Sequence, residues 1–110
     1  MNEEREARIR AAIAEMRAEY LRELPEKLAK LVALVARAEE DDAAFREARM
    51  EAHRIFGTAG SLGLDAVSAA AGRMERAMMA IAGEQVEGDV ADAWRVVAEA
   101  LGEMQAGQDA

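Results

Sequence analysis

The chain has no cysteine, a single proline and a single histidine among its 110 residues. Each scarcity excludes something. Without cysteine there is no disulfide framework and no thiolate metal site. With His53 alone there is no multi-histidine metal site, and no Glu-x-x-His pair adds a ligand to it. No apolar run reaches the roughly 18 residues of a membrane span. The opening residues Met1-Asn2-Glu3-Glu4-Arg5 are too polar for a secretory signal, so the expected location is the cytoplasm. Basic residues are outnumbered, 14 against 22, for a net charge of −8. That balance argues against nucleic acid, whose phosphates need clustered Lys and Arg. Local basic patches can still oppose the net sign and meet an acidic protein.

What is present points to helices. Alanine, glutamate, arginine, leucine and methionine dominate, and β-branched runs are missing. Hydrophobic residues make up 52 %, enough for one core of modest size. The first stretch, from about Glu3 to Leu24, places Ile9, Ile13, Met16, Tyr20 and Leu24 at spacings of three and four. Pro25 follows, either kinking a continuous helix or opening a new one. The next stretch carries Leu28, Leu31, Val32, Leu34 and Val35 to about Glu39. Asp41 and Asp42 read as an N-cap for a helix from about Ala43 to Leu62, and Gly63 reads as its stop. Asp65 reads as the cap of another helix, with Ala66, Val67, Ala70, Met74, Met78 and Ile81, ending near Gly83. Gly88 and Asp89 precede the last helix, which carries Val90, Trp94, Val97, Leu101 and Met104. Met74, Met78 and Met79 read as core or boundary filling, and Trp94 as core. The pattern predicts an all-α, antiparallel up-and-down four-helix bundle with an additional or kinked N-terminal helix. Residues 1–106 form the single domain, and 107–110 a frayed tail.

The histidine sits in the run Ala52-His53-Arg54-Ile55-Phe56-Gly57-Thr58-Ala59-Gly60-Ser61-Leu62-Gly63. On a wheel of roughly 100° per residue, Phe45, Ala48, Ala52, Ile55, Ala59 and Leu62 form a core face, with Phe56 at its edge. Arg46, Arg49, His53, Gly57 and Gly60 form a second stripe, displaced from the core. Arg54 points roughly 100° away from the histidine. A glycine inside a helix costs about 1 kcal/mol relative to alanine. Two of them on the histidine's face describe a surface stripped bare for an approaching partner. A serine triad finds no support, because no nucleophile elbow surrounds Ser61 or Ser68. What remains for an exposed imidazole is nucleophilic attack on phosphorus.

That run resembles the signature of histidine-containing phosphotransfer (HPt) domains, roughly A-H-x-L-K-G-[ST]-[AS]-x-x-[LIFM]-G. Met74 and Glu75, about 21 and 22 positions after the histidine, resemble the L-E pair that such domains often carry on the following helix. The segment Tyr20 to Leu28 is similar to one that many of them place within a long helix, which favours a kink at Pro25. The resemblance spans about residues 15 to 85. It implies a phosphoryl carrier without kinase activity of its own. His53 accepts the group from a receiver-domain aspartyl phosphate in a multistep two-component phosphorelay and passes it to another receiver. Glu75 is then expected to orient the ring. Arg49 is expected to supply positive charge at the phosphate, with Arg54 a second source. Arg46, Phe56, Gly57 and Gly60 make the docking face. No cofactor is expected on this chain, since Mg²⁺ belongs to the receiver. The expected partners are response-regulator receivers and a hybrid histidine kinase, with no nucleic acid, no membrane and a monomeric state. The departure is Phe56, where the family commonly has lysine. It leaves an alternative from another class, a non-transferring adaptor or inhibitor that binds a kinase or receiver.

Overall fold

The computed structural model describes residues 2–83 and 89–108. Four helices follow one another: α1 (Asn2–Ala38), α2 (Asp42–Ser61), α3 (Asp65–Ile81) and α4 (Val90–Gln108). No strand occurs among the described residues. Each helix packs on its chain neighbour, and α1 closes the ring by packing on α4. The result is a four-helix bundle in which α1 and α3 lie across one diagonal.

The helix ends follow from local chemistry. Asp41 takes an extended conformation, and its carboxylate accepts from the backbone N–H of Ala43 and Ala44 at 3.0 and 3.3 Å. It therefore satisfies two of the donors that a helix N-terminus leaves open. At the other end of α2, Gly63 adopts φ 75°. The Leu64 N–H then reaches back to the Ala59 carbonyl at 2.8 Å, and the Gly63 N–H to Gly60 at 3.2 Å. These two bonds define a Schellman turn, and its positive φ is the conformation glycine tolerates best. Asp65, expected as a cap, is instead the first residue of α3. Leu64 holds the cap position without a side-chain bond, and Asp65 places its charge in the first turn, where the helix dipole favours it. Asp89 caps α4 by accepting from the Ala91 N–H at 3.1 Å; Gly88 lies outside the described residues. α4 continues to Gln108, so Gly107 and Gln108, read from the sequence as tail, are helical.

Pro25 lies inside α1, which runs through it without interruption. Its side is exposed, so the backbone acceptor freed by the missing N–H can bind water. A helix of 37 residues is about 55 Å long at 1.5 Å per residue, matching the long dimension of the molecule, 55 Å. α2 has only 20 residues, so the N-terminal end of α1 overhangs the bundle. Ile9 and Met16 continue the apolar spacing of α1 but are 53 % and 50 % exposed, because no helix reaches far enough to cover them.

The core takes its bulk from α1 and from methionines. Leu24, Leu28 and Leu31 of α1 meet Met74, Met78 and Met104, all sealed from water. α2 contributes small residues, Ala44, Ala48, Ala52 and Ala59 around Ile55, which lets its neighbours approach closely. Two expectations shift here. Phe45 and Leu62 are half-buried at the ends of α2 rather than central, and Ala44 takes the buried position beside Phe45. Trp94 is also half-buried, its ring edge-on to Phe45 with centroids 6.1 Å apart. Both rings lie at the end where α2 begins, which leaves them partly wet.

Candidate functional site

His53 stands on the outer face of α2, beyond the alanines that carry the core contact. Its side chain is 68 % exposed, and Nδ1 lies 2.7 Å from Oε2 of Glu75 on α3. The neutral ring therefore donates its Nδ1 proton to a carboxylate and keeps a lone pair on Nε2. Glu75 is only 20 % exposed, which confines it against α3. Met74, its neighbour, is fully buried. One residue thus anchors α3 in the core while the next faces the ring.

The two glycines of the histidine stripe differ. A Cβ on Gly57 would meet nothing within 4 Å, so that backbone faces open space. A Cβ on Gly60 would lie 3.0 Å from Oγ of Ser68, so the missing side chain of Gly60 also lets α3 approach α2. Gly60 stays exposed as a residue, but its bareness is not reserved for a partner as the wheel suggested. Ser68, one of the two buried polar residues among those described, donates to the Phe56 carbonyl at 2.8 Å. The Ser61 hydroxyl donates to the Gly57 carbonyl at 2.9 Å.

Phe56 is 41 % exposed, and its ring leans over Gly72 of α3. A Cβ at Gly72 would come within 3.0 Å of two of its ring atoms. An apolar knob, seated on bare helix backbone, thus stands three residues beyond the histidine.

Two shallow grooves flank the ring. One, between α1 and α2, is lined by Tyr20, Lys27, Glu51, His53 and Arg54 among others. The other brings together Arg46, Arg49, Met50, His53, Arg54 and Glu75. Basic side chains thus gather around His53 in a chain whose net charge is negative. Glu51, 7 % exposed, pairs with Arg54 at 3.1 Å. Burial, and after it the charges of Glu51 and Glu23, hold the Tyr20 phenol above its ordinary pKa.

The sequence reading named His53, Glu75, Arg46, Arg49, Arg54, Phe56, Gly57 and Gly60, and the fold brings all of them to the outer α2–α3 surface or the adjoining α1–α2 groove. It missed Glu51, Gly72 and Lys27. Glu51 carried a signal: on the wheel it falls at the edge of the core face, next to Leu62 and Ile55, a charge bordering the core side. Gly72 carried one too, as a mid-helix glycine without a turn. Lys27 carried none. No group of three or more acidic or histidine side chains among the described residues is placed to hold a metal.

The family model for the Hpt domain matches residues 15–107. The chain belongs to the Hpt domain family, and its role is histidine phosphotransfer in two-component signalling. Members of the family interact with receiver domains and kinases. Neither the curated proteins nor the solved structures compared with the chain gave a match. No helix among the described residues is long and apolar enough to cross a membrane.

Proposed function

We propose that this chain is a phosphorelay intermediate: His53 takes a phosphoryl group from a receiver-domain aspartate and gives it to a second receiver. Nε2 attacks phosphorus, the Nε2–P bond forms, and the aspartyl O–P bond breaks to release a carboxylate. Positive charge then develops on the ring. Glu75, in contact with the Nδ1 proton, stabilises that charge and selects the tautomer of the neutral ring in which Nε2 carries the lone pair. Arg49 and Arg54 offset the phosphoryl charge. Gly57 leaves the approach open, while Arg46 and Phe56 contact the receiver beside it. Mg²⁺ is a requirement of the receiver. The observation that carries this reading is the 2.7 Å contact from Glu75 to an imidazole that is itself 68 % exposed.

Incubation with a phosphorylated receiver tests it. The chain is expected to gain an acid-labile, base-stable phosphate. His53→Gln is expected to abolish the label with helical content unchanged; labelling that survives would exclude His53. A second reading, an adaptor or inhibitor that binds without transfer, draws on Phe56, an exposed apolar side chain in place of a cation. It requires tight receiver binding with no label on the wild-type chain.

A further inference from the structure

We infer that Glu51 is a positioning residue: it holds the Arg54 guanidinium beside His53, where that cation stabilises the phosphoryl group. The inference rests on the reading of His53 as phosphoryl acceptor. Glu51 is the one buried charged residue among those described. A carboxylate withdrawn from water needs a partner, and Arg54 is that partner, with Nη1 3.1 Å from Oε2. Glu51 lies on the side of α2 that meets α1, in the groove that Tyr20 and Lys27 also line. Its bond to Arg54 has a directional effect. Arg54 reaches back one turn to Glu51, past the level of His53, and its side chain remains 60 % exposed. It lines both grooves that flank the ring. A guanidinium has five N–H donors in a rigid fork, and the Glu51 bond occupies one edge. The other donors are left for an anion arriving on Nε2.

An unanchored arginine loses rotamer freedom when it binds. Anchoring by Glu51 removes most of that loss in advance, so the cation is in place when the phosphoryl group arrives. Charge balance gives a second consequence. Glu51 and Arg54 are neutral as a pair. Removing Arg54 alone leaves an unpaired buried carboxylate in the groove that His53 and its doubly charged phosphoryl group also line. Removing both charges does not. The two substitutions therefore interact, and Arg54→Ala alone is worse than Arg54→Ala combined with Glu51→Gln.

The test uses phosphoramidate as donor, which needs no docking partner. Nε2 attacks phosphorus, the P–N bond of the donor breaks, and ammonia leaves. After donor removal, the lifetime of phospho-His53 is followed by ³¹P NMR, with thermal melts confirming that each variant is folded. Arg54→Ala is expected to shorten the lifetime about tenfold, the scale of a charge-assisted hydrogen bond. Glu51→Gln, which keeps shape and an acceptor but not the charge, is expected to shorten it about threefold. The double variant is expected to outlast Arg54→Ala, and Arg54→Lys to recover part of the loss. Lifetimes that stay at the wild-type value, or losses that simply add, would overturn the role of Glu51. A wild-type chain that takes no phosphate from phosphoramidate or from a phosphorylated receiver would instead overturn the phosphotransfer reading, and this inference with it.

Discussion

Replacing Glu75 separates the two things its carboxylate does for His53. Glu75→Gln keeps a carbonyl oxygen that accepts the Nδ1 proton, so the tautomer survives while the charge is lost. Glu75→Ala loses both. The charge term can be bounded from the 2.7 Å separation. Coulomb's law gives about 1.5 kcal/mol at the dielectric of water and about 6 kcal/mol at an effective value of 20. The ring is 68 % exposed, so the wet limit governs. Each 1.36 kcal/mol is tenfold in rate, so about 1.5 kcal/mol predicts about a tenfold slower transfer for Glu75→Gln. A neutral hydrogen bond adds about 1 kcal/mol, bringing Glu75→Ala to roughly 50- to 100-fold. The assay is single-turnover transfer from a phosphorylated receiver at saturating receiver, so that docking is not what is measured. Circular dichroism checks that each variant keeps its fold. Equal rates for wild type and Glu75→Ala would refute the claim that this carboxylate assists the ring. A slow Glu75→Gln equal to Glu75→Ala would show that charge alone matters.

The two stripe glycines are expected to part company. Gly57→Leu enters open space, so the melting temperature is expected to hold or rise by the helix-propensity gain of about 0.8 kcal/mol, while transfer from a receiver falls at least tenfold and phosphoramidate labelling persists. Gly60→Leu collides with Ser68 and is expected to lose about 1–3 kcal/mol of stability, read by denaturant melts. Met74→Ala empties a fully buried site and is expected to cost about 2–5 kcal/mol, lowering the melting temperature by roughly 10 °C or more. Arg49→Ala is expected to slow transfer about threefold, within the range of an exposed charge contact; an unchanged rate would remove Arg49 from the phosphate's surroundings.

Most of the bundle was legible because its signals are local. The Asp41 cap, the Gly63 stop and the stripe Leu24, Leu28, Leu31 are each written in a few consecutive residues. The overhang of α1 was not legible. Ile9 and Met16 continue the same seam, and periodicity says which way a residue faces but not whether a neighbour reaches it. That depends on the length difference between α1 and α2. Trp94 and Phe45 were misjudged for a related reason: a helix wheel has no axial coordinate, so the ends of a bundle look like its middle. At the site, the histidine face followed from spacing within one helix. The division of labour between Gly57 and Gly60 did not, because it depends on where Ser68 of α3 falls. The seating of Phe56 on Gly72 likewise joins residues 16 apart through the crossing of two helices.

The most direct test reads the nitrogen itself. Long-range ¹H–¹⁵N NMR of the ¹⁵N-labelled, phosphorylated chain distinguishes a phosphoryl group on Nε2 from one on Nδ1. With Nδ1 held by Glu75, the phosphate is expected on Nε2 of His53, with the Nδ1 proton still present. Phosphate on Nδ1, or on neither nitrogen of that ring, would contradict the account.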